Sequence, residues 1–310
     1  MCCLYGFYNY GGQAIKNLTT LTNSLAEKAT QRGTDAAGIA YINKRKLEIQ
    51  KDGKSATKIK FKHPDDSICV TGHTRHATQG THTKNFNNHP FAGKCHNVNF
   101  ALAHNGVLMN DRELRKMYHL PHTRIETDSY IAVQLIEKKK RLDIDNIRFM
   151  AEKVDGSFAF SILDTNNTLW LVKGDSPLSI LHLPKRKMYV YASTEEILFK
   201  SLVDTALFED IKNGDFEEIK IRSGDILKFT MDGTITKDKF EYTDYSSWRR
   251  CSWWTYGMSD GSDGYESYIR DLKSVATYEG YSPDVVDELL DSGFSPEEIE
   301  EYIYCAEGVI

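Results

Sequence analysis

Residues 2–10 read "CCLYGFYNY": two adjacent thiols, then the aromatic and apolar run of a strand. Met1 stands before a small residue, so its removal is expected, and Cys2 then becomes the first residue of the chain. A cysteine in that place carries a thiol and a free α-amine together. The amine has a reference pKa of about 8, low enough to accept a proton near neutrality. Nucleophile and base would share one residue, the arrangement used by N-terminal threonine nucleophiles. The alternative is that Cys2 and Cys3 are small apolar fillers of a first strand.

The rest of the chain sets the context for that strand. Its 310 residues suffice for one large domain or two ordinary ones. With 40% hydrophobic and 27% charged residues it has the balance of a soluble globular protein. A net charge of −5 gives no bias towards nucleic acid or anionic membrane. The apolar run "SYIAVQLI" (129–136) is too short to span a bilayer, and no basic-then-apolar leader is visible. Cysteines at 2, 3, 69, 95, 251 and 305 form no C-x-x-C pair and read as reduced, which fits a cytoplasmic setting.

Strand-like and helix-like segments alternate up to about residue 243. Ile15, Leu18, Leu21, Leu25 and Ala29 recur at helical spacing, and "GIAYINKRKLEIQKDG" (38–53) reads as a hairpin turning at "NKRK". Strands are predicted at 67–75, 98–106 and 157–164, and helices at 112–120, 127–140 and 144–154. A series of short strands follows from "TLWLVKGD" (168–175) to "DILKFTMDGTITKD" (225–238), joined by turn dipeptides. Such grouping implies stacked layers of sheet and helix. Residues 244–310 differ in character. They hold three of the four tryptophans among Ser, Gly and Asp, then two short amphipathic segments that each start with Ser-Pro. They are read as a separate, Trp-rich linker and small helical appendage.

Polar clusters stand where plain strands or helices would not place them. "RGTDAAGIAY" (32–41) sets Arg32 and Asp35 at the mouth of the hairpin. "GHTRHATQG" (72–80) ends an apolar strand with His73, Thr74, Arg75, His76, Thr78 and Gln79. "LAHNGVLMN" (102–110) does so with His104, Asn105 and Gly106, and "ETDSYIAV" (126–133) starts a helix with Thr127 and Asp128. Such groups cost desolvation unless paired or functional. A thiolate attacking an amide builds an oxyanion, for which an Asn NH₂ and the next Gly N–H are suitable donors. Arg75 has the planar fork that matches a carboxylate, and Asp128 can hold an ammonium. Together these describe a site for a free amino acid with an amide side chain, glutamine or asparagine.

"CCLYG", "RGTDAAGIA", "GHTRHATQG", "NNHP", "HNG" and "TDS" occur in an order and spacing that resemble the class II glutamine amidotransferase domain. That domain is the N-terminal-nucleophile glutaminase found in glucosamine-6-phosphate synthase and amidophosphoribosyltransferase. The resemblance spans about residues 2–240. It implies an α+β, four-layer αββα N-terminal-nucleophile hydrolase fold over residues 2–243, with the small C-terminal helical appendage at 244–310. By position it implies Cys2 as nucleophile, Asn105 and Gly106 as oxyanion donors, Arg75 on the substrate α-carboxylate and Asp128 on its α-amine. Thr78, His89 and His76 fall where the family lines the glutamine pocket, and Arg32, Gly33 and Asp35 match a structural turn beside the nucleophile. No metal and no cofactor is expected.

Several positions depart from the family pattern. His76 stands where the synthases carry Trp or Tyr, Gln79 where one has His, and Cys3, Ala36 and Tyr130 also differ. Residues 244–310 are too few for a sugar-isomerase or phosphoribosyltransferase domain. The expected partners are therefore L-glutamine and a separate ammonia-acceptor synthetase or transferase, with no nucleic acid and no membrane. Competing readings remain at this level. Arg75 and Asp128 are also a plausible structural ion pair, and Asn-Gly is a common turn dipeptide. His73, His76, His82, His89, His96 and His104 invite a zinc site, although no H-E-x-x-H pattern is present. A γ-glutamyl peptide or amide hydrolase, and an inactive interaction scaffold, are the rival functions.

Overall fold

Every residue of β1 (Cys3–Asn9) is buried, as expected of a strand covered on both faces. The computed structural model describes residues 2–12, 18–96 and 98–242, and in the last part of the chain 269–270, 272–273, 276–277, 281–294 and 296–305. Met1, Ile15 and the tryptophans at 248–254 lie outside the described residues. The chain divides into two compact units, Met1–Thr243 and Asp244–Ile310.

In the first unit β1 lies near the middle of a seven-stranded antiparallel sheet. Its order is β11 (Glu217–Glu218), β9 (Ser179–Leu183), β10 (Met188–Ala192), β1, β4 (Cys69–Arg75), β2 (Ala36–Asn43), β3 (Lys46–Asp52). A second antiparallel sheet runs β13 (Ile235–Lys239), β12 (Asp225–Phe229), β8 (Leu169–Lys173), β7 (Gly156–Asp164), β6 (Val98–Leu108), β5 (Phe91–Cys95).

Strand alternation sorts the side chains into three cores. Tyr5 and Phe7 of β1 pack on one side with Leu21 and Leu25 of α1 (Leu18–Lys28) and with Leu198 and Leu202 of α5 (Glu195–Val203). Leu4 and Tyr8, on the other side of β1, pack with Ala103, Ala159 and Leu171 of the second sheet. That sheet's outer face, with Phe100, Leu102 and Phe160, is covered by α2 (Asp111–Met117), α3 (Tyr130–Lys138) and α4 (Ile144–Lys153). The result is the expected four-layer αββα arrangement.

Sequence pattern missed α5, β5 and the short α6 (Phe208–Lys212). The start of α5 is fixed by Thr194, whose Oγ1 accepts the Ile197 N–H at 3.3 Å, with Glu195 and Glu196 in the first turn. The predicted hairpin is present, turning at Lys44 and Arg45, both with positive φ. Within the basic stretch 54–63, which joins β3 to β4, Ala56, Phe61 and His63 are buried. In the second unit α7 (Asp284–Asp291) and α8 (Pro296–Cys305) fall on the two Ser-Pro segments. Val286, Ile299 and Ile303 there are buried, and Lys273 pairs with Asp287 at 2.6 Å.

Candidate active site

Strand register brings the first polar cluster together. β1 pairs with β4 as Cys3 with Thr74, so one step further the register sets Cys2 against Arg75. The Cys2 carbonyl accepts the Arg32 Nε–H at 3.1 Å, and its half-buried thiol points to the His76 carbonyl at 3.6 Å. The 32–35 turn lies against β4: a Cβ on Gly33 would come within 2.7 Å of the Arg75 backbone, so only glycine fits. Asp35 N–H donates to the Arg75 carbonyl at 2.9 Å, and the Asp35 carboxylate accepts the Ala77 N–H at 2.8 Å. Burial pushes the Cys2 thiol up, and Arg75 works against that rise. The thiol therefore needs a base before it attacks.

Arg75 is buried and held by three bonds. It donates to Asn88 Oδ1 at 2.8 Å and to the carbonyls of Gln79 and Gly80 at 2.6 and 2.8 Å. These fix the plane of the fork and fold residues 76–80 around it, with Thr78 half-buried in that loop. Asn88 in turn is held by Lys51, whose ammonium donates to the Asn88 and Pro90 carbonyls at 2.5 and 3.1 Å. Burial, then the Arg75 charge, lowers Lys51 to about 8. Burial likewise takes His76 down to about 4, although the Asp35 carboxylate lies 3.8 Å away.

Asn105, Gly106 and Asp128 belong to the second sheet and its helices. The Asn-Gly pair is no turn: it lies inside β6, opposite Ala159 and Phe158. Gly106 has φ +132°, and a Cβ there would meet the Ser157 carbonyl at 2.1 Å. Nor do Arg75 and Asp128 spend themselves on each other. Asp128 is buried just before α3 and accepts the Leu108 N–H at 2.7 Å, while burial raises its pKa against that bond and Arg75.

His89 stacks on His73 with ring centroids 4.1 Å apart. Both of its ring nitrogens, Nδ1 of His73 and the Thr127 hydroxyl are buried without a hydrogen-bond partner among the described residues. His73 Nε2 bonds the His104 carbonyl at 2.9 Å, which must accept, so this nitrogen carries the proton. His104 is held by Ser129 Oγ at 2.8 Å, and burial takes it down to about 4, so it is neutral at pH 7. Among the described residues no group of three His, Cys, Asp or Glu is placed to hold a metal ion.

The structure thus gathers Cys2, Arg75 and His76 on one sheet, and Asn105, Gly106 and Asp128 on the other. The link between them was not foreseen. Ser193, fully buried just after β10, accepts the Leu4 N–H at 2.9 Å and the Asn105 Nδ2–H at 3.3 Å. Its only sequence signal was its place beside the cap residue Thr194.

A family model described as "Glutamine amidotransferase domain" matches residues 73–200. Residues 73–200 of the first unit thus carry a glutamine amidotransferase domain, and the unit is similar to those of class II. Domains of this class are enzymes with an N-terminal cysteine nucleophile. A glutamine–fructose-6-phosphate aminotransferase (isomerizing) of Staphylococcus epidermidis is 32% identical over 189 residues, 58% of this chain and 30% of that protein. The namesake from Fusobacterium nucleatum is 28% identical over 244 residues, 76% of this chain and 37% of that protein. The chain spans about a third of the length of the curated relatives it matches. Among solved structures, the Bacillus subtilis glutamine phosphoribosylpyrophosphate amidotransferase, complexed with ADP and GMP, superposes with TM-score 0.59 at 20% identity. The match covers 89% of this chain and 58% of that one. An allosteric regulatory enzyme of purine biosynthesis superposes with TM-score 0.61 at 19% identity, covering 90% and 58%. At those identities the superpositions bear on the fold, and they match the N-terminal-nucleophile architecture. No helix among the described residues is long and apolar enough to cross a membrane.

Proposed function

We propose that this amidotransferase domain hydrolyses L-glutamine to glutamate and ammonia through a γ-glutamyl thioester on Cys2. The observation that carries the proposal is the placing of a thiol at the chain start against Arg75, with the Asn105–Gly106 pair joined to the same strand through Ser193. Arg75 takes the α-carboxylate and Asp128 the α-ammonium; Thr78, His76 and His89 line the pocket. After Met1 is removed, the Cys2 amine, through a water, takes the thiol proton, and sulfur attacks the amide carbon. Asn105 Nδ2–H and Gly106 N–H stabilise the oxyanion. The C–N bond then breaks, the amide nitrogen leaves as ammonia with that proton, and water cleaves the thioester to glutamate and free thiol. Neutral His104 and His73 add no positive charge that would compete with Arg75 for the carboxylate.

Ammonia would pass to a separate acceptor synthetase or transferase in the cytoplasm, with residues 244–310 as the docking appendage. The test is a side-by-side assay of glutamine, asparagine and γ-glutamyl dipeptides, on protein whose mass shows Met1 removed. Ammonia from glutamine, with an electrophilic glutamine analogue labelling Cys2 alone, is expected. Faster turnover of γ-glutamyl dipeptides would make the enzyme a γ-glutamyl hydrolase instead. Processed protein that turns over none of these and takes no label would refute the assignment.

A further inference from the structure

The two halves of the proposed chemistry stand on different sheets, so something must hold the oxyanion donor against the nucleophile's strand. We infer that Ser193 is a positioning residue that fixes the Asn105 side-chain amide relative to β1; the inference rests on the glutaminase reading above. Ser193 sits where β10 leaves the first sheet, with its N–H donating to the Leu4 carbonyl at 2.9 Å. A hydroxyl has two acceptor sites and one proton. Both acceptor sites are used, one by the Leu4 N–H of the nucleophile's strand and one by Asn105 Nδ2–H of the other sheet.

An amide NH₂ has two hydrogens. Donating one to Ser193, whose own proton faces the sulfur of the neighbouring Cys3, turns the NH₂ rather than the oxygen towards the serine and leaves the second hydrogen to face the reacting carbonyl. A flipped Asn105 would present its oxygen to the oxyanion and repel it. With the serine hydroxyl removed, nothing in this contact distinguishes the two flips. Ser193 touches no substrate atom in this scheme, and it acts only through Asn105.

Ser193→Ala should lower kcat for glutamine roughly 10-fold, a fraction of the roughly 100- to 1,000-fold expected of Asn105→Ala, with KM changed less than about two-fold. In the Asn105→Ala background the same substitution should cost less than about two-fold, because there is no amide left to orient. Ser193→Cys keeps the volume and accepts weakly, so it should lie on the same side. If Ser193→Ala does not melt cooperatively, the cysteine variant carries the cycle. Unchanged kcat in a folded variant, or a loss that multiplies in full with Asn105→Ala, overturns the inference. A neutron structure of the serine variant, in which the amide hydrogens are seen directly, gives a readout that needs no activity: the Asn105 amide should flip or spread over both flips while β6 stays in place. An unmoved amide overturns the inference even if the wild-type protein proves inactive on glutamine, whereas inactivity alone overturns only the glutaminase reading.

Discussion

Replacing Arg75 by lysine keeps the charge and removes the fork, which makes it the sharpest test of substrate binding. Arg75 donates to Asn88 Oδ1, Gln79 O and Gly80 O at 2.8, 2.6 and 2.8 Å. A lysine ammonium is one compact point and can keep only part of that set. A hydrogen bond to a charged group contributes about 1.5–3 kcal/mol. Because the 76–80 loop is half-buried and water can reach its carbonyls, the lower end applies, and the loss falls on that loop more than on the fold. For the substrate, an ammonium shared with those protein acceptors has less left to give the α-carboxylate, and one charged hydrogen bond to it is lost. At the same 1.5–3 kcal/mol, KM should rise roughly 10- to 100-fold. The reacting amide lies at the other end of glutamine, so kcat should fall less than about three-fold. Steady-state ammonia release against glutamine concentration reads both, and a thermal melt controls for folding. A collapsed kcat at unchanged KM would place Arg75 in the chemistry and refute the assignment.

Cys2→Ala should abolish hydrolysis and analogue labelling, whereas Cys3→Ala should keep a substantial part of both, since the Cys3 side chain is buried in the core with α1; activity surviving in the Cys2 variant would exclude the mechanism. Stability should fall on acidification. His104 is held at about 4, below its ordinary 6.5, so the unfolded chain binds more protons between those values and the fold loses about 3 kcal/mol across that window. His73 and His89 are shifted in the same direction, while Asp128, raised by burial, offsets part of the loss at the acid end. Urea midpoints at pH 7.5 and 5.0 check this, and equal midpoints would refute it. A chain ending after residue 243 should stay folded and hydrolyse glutamine while losing any partner-stimulated turnover. A folded but inactive truncation, judged by circular dichroism and a cooperative melt, would show that 244–310 completes the site.

The sequence carried the strands that read by composition and alternation, the hairpin, and the residue types at the strand ends. It could not carry what depends on two distant segments meeting. Asn105–Gly106 reads locally as a turn, yet β6 runs on to Leu108 because the close Ser157 carbonyl requires a glycine with positive φ there. α5 was missed because the preceding strand series overrode the capping signal of Thr194 and two glutamates. Ser193 is a small residue in a small-residue stretch; nothing about its neighbours in sequence says that it lies between Leu4 and Asn105.

The contact between the sheets explains why polar residues are tolerated at its heart. Apolar packing such as that of Leu4, Tyr8, Ala103 and Ala159 is non-directional, so by itself it sets how close two sheets lie far better than how they slide. Hydrogen bonds weaken steeply with distance and angle, and so they resist sliding. Thr71 and Ser161 share a bond of 2.7 Å across the sheets, and the Tyr191 hydroxyl donates to Thr71 at 2.8 Å. His73 reaches the His104 carbonyl at 2.9 Å, and Asn105 reaches Ser193 at 3.3 Å. Each first-sheet partner is on β1's neighbours β4 and β10 or directly follows β10, so the cross-links lie beside the strand that carries the thiol. Oxyanion donors act only within about 3 Å of the developing charge. A seam that fixes sheet against sheet at this end is therefore what the proposed chemistry needs, because its nucleophile and its oxyanion donors belong to opposite sheets.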